Sequence, residues 1–180
     1  MAMVQSDEEL LAEFCGGRRD AFEPLYHRHA SNVLTYLCTM LKDRDIAEDI
    51  LQQVFISLAQ NAHALNPGTN LRAYLFAGAR NRALNVRRDR QNRPRFVSVE
   101  TFPTTSEMSP GANIENAETL RKLNAAIDAL PEGEREVVLL HTRADLGFRE
   151  IAEMTGTPQG TVATRYRTAL GRMKEFLSHD

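Results

Sequence analysis

At 180 residues and 42% hydrophobic, the chain is long enough for one domain or two small ones and apolar enough for a buried core. The opening run MAMVQSDEEL has no basic start followed by an apolar stretch, so it does not read as a secretory signal. No apolar run has the length to cross a bilayer. The formal charge of -2 conceals blocks: residues 1–71 hold five bases and ten acids, residues 72–95 eight arginines and one acid, residues 96–120 four acids and no base, and residues 121–180 nine of each, a pattern that suits different surfaces for different partners.

Taken in chain order, nearly every periodic segment reads as helix, and no alternating strand pattern persists. Ser6 with Glu9 makes a capping box for a short first helix, which Gly16 and Gly17 end. Asp20 opens a longer helix through AFEPLYHRHASNVLTYLCTML, with Pro24 in its first turn. Asp45 with Glu48 marks a third start, running to about Ala62. The cluster NPGTN, Asn66 to Asn70, is a turn, and the arginine-rich helix follows from Leu71.

From about Gln91 to Asn113 the pattern collapses, and SVETFPTTSEMSPGAN reads as a linker. Helical periodicity resumes at Leu120, Leu123, Ile127 and Leu130, breaks at Pro131 and returns in EREVVLLHT; two more helices close the chain. The expected architecture is all-α: a helical bundle over residues 1–92, a flexible acidic linker over 93–114, and a helix-turn-helix domain over 115–180. Cys15 and Cys38 lack metal or redox spacing and read as buried or half-buried thiols in a reducing cytoplasm. His27 and His29, two apart on a helix, do not share a face and make no metal site.

Three stretches carry chemistry. In LRAYLFAGARNRALNVRRDRQNRPR the helical period puts Leu71, Leu75, Ala79 and Val86 on a buried stripe, with Tyr74, Asn81, Asn85 and Arg88 roughly opposite. Such a charge run is either a solvated face or a surface that meets phosphate. Tyr stacks on an unpaired base, Asn both donates to and accepts from a base edge, and Arg80, Arg82, Arg87 and Arg90 are placed to hold phosphates. With the adjoining turn this makes a holder for a base taken out of the stack.

The preceding helix, DIAEDILQQVFISLAQ, uses Ile50, Leu51, Val54, Phe55 and Leu58 as core. Asp45, Asp49, Gln52, Gln53 and Ile56 lie mostly outside it, which suits either a protein partner or plain solvent.

Near the C-terminus, FREIAEMTGTPQGTVATRYRTALGRM has the spacing of a helix-turn-helix. Ala152 stands where the helices pack, Gly156 in the turn, and Val162 early in the second helix, with Ile151 adding to the core and Thr157-Pro158 starting that second helix. Val162, Tyr166, Ala169 and Met173 face inward. Thr161, Thr164, Arg165, Thr168 and Arg172 face outward, and residues 159–174 hold four bases and no acid.

The order of these motifs resembles the extracytoplasmic-function sigma factors, small two-domain initiation factors of bacterial transcription. GGRRDAFEPLYHRH, AEDILQQVF, LRAYLFAGARN and ALPEGEREVVLLH…GFREIAEMTGTPQGTV stand in the family's order and leave out only the linker. The resemblance implies that Asp49, Gln52, Gln53 and Phe55 dock the clamp helices of core RNA polymerase, alongside the exposed Asp45 and Ile56. It implies that loop 66–70, with Asn66, Gly68 and Asn70, and the helix bearing Tyr74, Phe76, Arg80, Asn81, Arg87 and Arg88, read the melted minus-ten strand. The helix over 159–174, with Thr161, Thr164, Arg165, Arg167, Thr168 and Arg172, would read the duplex minus-thirty-five element.

The implied partners are bacterial core RNA polymerase, promoter DNA and an anti-sigma factor, in the cytoplasm. No cofactor, metal, small-molecule substrate or membrane insertion is implied. The sequence departs from the family pattern at Gln53, where an acid is usual, at Ala77, where arginine is common, and at Ala163, often basic. A stand-alone helix-turn-helix regulator would account only for residues 140–177. A nuclease would need a carboxylate cluster or an activated nucleophile, and no such spacing occurs.

Overall fold

The computed structural model describes residues 5–66, 68–92 and 114–178, apart from the side chains of residues 114–117. The described residues form helices and connecting turns, and the chain divides into two units, Met1–Val97 and Ser98–Asp180. The expected linker, residues 93–114, lies outside the described residues except for Ile114, the first residue of a helix.

In the first unit, α1 (Asp7–Cys15) begins at Ser6, whose hydroxyl accepts from the Glu9 amide while the Glu9 carboxylate accepts from the Ser6 amide. The expected capping box is therefore present. A 3-10 turn over Arg19–Ala21 leads into α2 (Phe22–Leu41). Asp20 lies inside that turn and does not cap α2, which starts two residues later with no side-chain cap. Pro24 is tolerated because an amide in the first turn has no intrahelical partner to lose. The third helix, α3 (Arg44–Asn61), is capped by Asp43, whose carboxylate accepts from the Ile46 amide. Asp45 lies one residue inside it, so the expected start was late by two residues. The fourth, α4 (Leu71–Asn92), is capped by Asn70 through its side-chain carbonyl on the Ala73 amide.

Leu11, Leu25, Leu37, Leu58 and Leu75, from all four helices, are fully buried together with Tyr36 and Phe76. Each such side chain contributes about 1.5–3 kcal/mol by leaving water. Asp7 ties the first helix to the bundle. Its carboxylate accepts from Arg28 at 2.9 Å and lies 2.8 Å from Nε2 of buried His29, a close approach without an aligned hydrogen bond, and Arg72 of α4 stands 3.8 Å away.

In the second unit, α5 (Ile114–Asp128) is followed by α6 (Glu132–Arg143), α7 (Phe148–Thr155) and α8 (Gln159–Ser178). Pro131 occupies the N-cap of α6. The guanidinium of Arg135 closes the α5–α6 corner by donating to the carbonyls of Ile127, Asp128 and Leu130. The core comprises Leu139, Leu140, Leu146, Ile151, Val162 and Ala169, all at or near zero exposure. Of the expected apolar stripe of α5, Ile127 and Leu130 are buried but Leu120 is exposed.

Candidate functional site

Three surfaces emerge, two on the first unit and one on the second. The first lies where α3 packs on α2. The apolar side of α3 is buried as its period requires, through Ala47, Ile50, Leu51, Val54, Phe55 and Leu58. The other side exposes Asp45, Asp49, Gln52, Gln53 and Ile56, the last 48% exposed, a large apolar side chain left facing water. A groove of about 760 Å³ runs beside it, lined among others by Phe22, Tyr26, Asp49, Gln52, Phe55 and Ile56.

Phe55 is only the floor of that groove. It is 3% exposed and meets Tyr26 edge-on at 4.8 Å and Phe22 at 6.1 Å between ring centroids. A residue expected to touch a partner thus lies buried against Tyr26, itself 37% exposed. Neither Phe22 nor Tyr26 stood out in the sequence. Their spacing of four, which puts two rings on one face of α2, was the available signal.

The second surface is α4 and the turn before it. Leu71, Leu75, Ala79 and Ala83 are buried, whereas Val86, expected on that stripe, is only half-buried. Phe76, placed among the base-reading residues by resemblance, is 1% exposed and packs edge-on against Tyr36 at 5.5 Å. It belongs to the core, where the largest apolar side chain of the helix gains most from burial. Asn81, Asn85 and Arg88 are exposed along one face with half-buried Tyr74, and Arg88 donates to Asn85 at 3.0 Å. In the turn, the Thr69 amide donates to the Asn66 carbonyl, and Asn66, Gly68 and Asn70 are exposed. Pro67 lies outside the described residues.

The arginines of α4 do not all surround this face as expected. Arg82 donates to the Ser57 hydroxyl at 2.6 Å and to the Gly78 carbonyl at 3.2 Å, pinning α4 to α3. Gly78 lies beside it, where a Cβ would stand in ordinary contact, 3.4 Å from that guanidinium and 3.8 Å from Val54. Arg90 pairs with Asp43, the cap of α3. Burial alone would raise the Asp43 carboxyl. The Ile46 amide and Arg90 outweigh it and hold the group below its ordinary value. Arg72 faces Asp7. Arg80 and Arg87 are half-buried on the flanks, and Arg93 and Arg95 lie outside the described residues.

The third surface is the helix-turn-helix. Gly156 ends α7 in the left-handed region, at φ 65°, a conformation that costs an L side chain about 1–2 kcal/mol. The Gly147 amide donates to the Glu150 carboxylate at 2.8 Å, capping the start of α7. The Pro158 carbonyl accepts from Thr161 and Val162, so α8 begins where Thr157-Pro158 predicts. Ile151 and Val162 are fully buried at the crossing, while Ala152 is half-buried. Tyr166 wedges between His141 and Phe148, with centroids 4.8 and 5.3 Å away.

Outward from α8 stand Thr161, Thr164, Arg167 and Thr168, all exposed; the Thr164 hydroxyl also donates to the Gly160 carbonyl. Two arginines expected on that arc lean the other way. Arg165 lies over the first turn of α6, where a Cβ on Gly133 would come within 3.2 Å of its guanidinium carbon. Nε of Arg172 is 3.2 Å from Oε2 of Glu134.

Among the described residues no group of three or more His, Cys, Asp or Glu side chains gathers as a metal site. His29, one of the two histidines weighed for that role, is buried beside Asp7. Both cysteines are half-buried free thiols, pushed up in pKa by burial. No helix of the described residues is long and apolar enough to cross a membrane.

A helical unit with an open groove and an amide-lined basic helix, together with a helix-turn-helix unit, defines the class of all-α proteins suited to DNA and a protein partner. Residues 25–93 match the model of sigma-70 region 2, and residues 120–173 that of sigma-70 region 4. The chain is 32% identical over 162 residues to the ECF RNA polymerase sigma factor RpoE of Cereibacter sphaeroides, covering 88% of this chain and 87% of that one. It is 29% identical over 167 residues to the RNA polymerase sigma factor CarQ of Myxococcus xanthus, covering 93% and 95%. Its fold is similar to that of the sigma factor RpoE of Bartonella quintana, solved in complex with the anti-sigma factor NepR, with a TM-score of 0.66 and 22% identity over 88% of this chain and 98% of that one. The chain belongs to the extracytoplasmic-function sigma factors, the transcription initiation factors that bring core RNA polymerase to promoter DNA.

Proposed function

We propose that the three surfaces divide the work of initiation. The α3 face, with Asp45, Asp49, Gln52, Gln53 and Ile56 over the Tyr26–Phe55 floor, docks core polymerase. An exposed isoleucine ringed by amides and acids is the composition of a protein interface with a small apolar centre and a polar rim. The α4 face and its turn hold unpaired bases of the minus-ten element, with Tyr74 for stacking and Asn81 and Asn85 for base edges. Arg80, Arg87 and Arg88 flank it as phosphate contacts. The helix α8 enters the major groove of the duplex minus-thirty-five element and presents Thr161, Thr164, Arg167 and Thr168.

Promoter opening needs no bond to be made or broken by this chain. Bases that leave the stack are captured on α4, which shifts the equilibrium toward the melted state by the binding energy gained. The protein therefore works in the cytoplasm as a specificity subunit, without an active site, cofactor or small-molecule substrate of its own. The Bartonella quintana relative is bound by an anti-sigma factor, and we extend that mode of control to this chain. Domain boundaries at about 1–92 and 115–180 complete the reading.

The observation that carries it is the α3 face, because a stand-alone helix-turn-helix regulator has no use for one. Replacing Asp49 and Gln52 together by lysine should abolish co-purification with core polymerase and run-off transcription while leaving helix content intact. Retention of both activities would reduce this face to solvated surface.

A further inference from the structure

Glu134 is the anomaly of the second unit. It sits in the first turn of α6, where an acid is favoured by the helix dipole. Yet it stands against the helix whose basic outer side is to meet a polyanion. Its side chain is only 13% exposed, its Oε2 is out of reach of solvent, and Arg172 is its ion-pair partner at 3.2 Å. The preceding residue, Gly133, leaves room for the guanidinium of Arg165, which lies where a Cβ would crowd it. Residues 165 and 172 are seven apart, on the same side of α8 two turns from one another. The first turn of α6 thus engages two of the four cations of residues 159–174, Arg172 while its side chain stays 56% exposed, and Arg167 and Lys174 are exposed on the remainder.

We propose that Glu134 is an internal competitor for the phosphate contact of Arg172, and that it lowers the sequence-independent affinity of α8 for DNA. This rests on the reading of α8 as the duplex-binding helix. Phosphate binding is gained mainly by releasing counterions condensed on the duplex, and it grows with the number of cations presented. A guanidinium already paired with a largely enclosed carboxylate adds less to that count. Contacts to base edges from Thr161, Thr164, Arg167 and Thr168 do not involve Glu134. The pair therefore restrains the part of binding that every sequence shares.

The test is binding of the full chain to a random-sequence duplex, measured by fluorescence anisotropy from about 50 to 200 mM salt. Glu134→Gln keeps the size of the side chain and removes its charge; circular dichroism confirms that the helices persist. We expect tighter binding at low salt, by about three-fold or more, and a salt slope steeper by about 0.9, one phosphate's worth. Glu134→Asp should restore the parent behaviour in part. In an Arg172→Ala background Glu134→Gln should leave the slope unchanged, because the cation it would release is gone.

Weaker binding by Glu134→Gln would overturn the proposal in favour of Glu134 orienting Arg172 toward DNA. An unchanged slope, or the same steepening without Arg172, would overturn it too. Arg167→Ala separates these failures from failure of the underlying reading. If α8 binds duplex, that variant binds less tightly whatever Glu134 does. If it binds as the parent does, α8 is not the DNA-facing helix, and the proposal falls with that reading.

Discussion

The two basic helices, α4 and α8, both turn arginines back on their own unit, Arg165 and Arg172 of α8 toward α6, and they differ in what they leave outward. In α4 the guanidinium groups of Arg72, Arg82 and Arg90 reach α1, α3 and the cap of α3, so half of its apparent DNA-binding charge ties the first unit together. What remains is an aromatic ring and amides, Tyr74, Asn81 and Asn85, flanked by Arg80, Arg87 and Arg88. In α8 the packing is done by Val162, Ala169 and Met173, and the outward groups are hydroxyls with Arg167. A count of basic residues would rank α4 far above α8 as a DNA surface. The contacts narrow that gap for phosphate and leave α4 suited, besides, to groups that only an unpaired base presents.

The strongest way to break this comparison is at Phe76. As a core residue against Tyr36, its change to alanine should cost the first unit about 3–5 kcal/mol, read as a lower denaturation midpoint. Tyr74→Ala, two residues away on the half-buried face, should leave that midpoint nearly in place. If Phe76→Ala leaves stability intact and changes only minus-ten recognition, then Phe76 is a base contact and the assignment of α4's faces is wrong.

The next test is smaller and concerns what each helix reads. Asn81→Ala should cost on the order of 1–3 kcal/mol at one base of a pre-melted minus-ten element, in holoenzyme, and little at the others. A uniform loss at every base would turn α4 into a phosphate rail and erase the distinction from α8.

How far this was legible in the sequence depends on the kind of contact. Periodicity exposed both faces of α3 and the inward side of α8, because burial of apolar side chains follows the helical repeat directly. Capping chemistry gave the start of α1, yet it misplaced the start of α3, since Asp43 and Asp45 are equally good caps and only the chain's entry angle chooses between them. Resemblance carries a residue's role without its rotamer or its neighbour, so the burial of Phe76 against Tyr36 was not legible from it. The ties of Arg82 to Ser57 and of Arg172 to Glu134 span 25 and 38 positions, and no local pattern announces a partner at that distance. A small residue does stand beside one of them, Gly78 at Arg82, whereas Gly133 adjoins Arg165.

The smallest effect concerns the clasp at the first helix. Asp7, Arg28, His29 and Arg72 meet where α1 joins α2 and α4. Burial pushes His29 below its ordinary value; Asp7 pulls it up without overcoming that, and Arg72 and Arg28 add to the depression. For Asp7, burial would raise the carboxyl, but the Arg28 hydrogen bond and the charges of His29, Arg28 and Arg72 outweigh it and lower it. A histidine whose folded pKa is depressed is neutral in the fold and takes up protons more readily once unfolded. Its contribution to stability is therefore complete above the ordinary value of 6.5 and is lost as pH falls below it. The Asp7 contribution is lost only on acidification below 3.8. Of these two groups, His29 is the one that acts between about pH 7.5 and about pH 5.5. Over that range α1 amides should lose protection from hydrogen exchange, and His29→Gln, which cannot titrate, should flatten the response. A response that survives His29→Gln would assign it to another group and leave the Asp7 clasp a fixed structural tie.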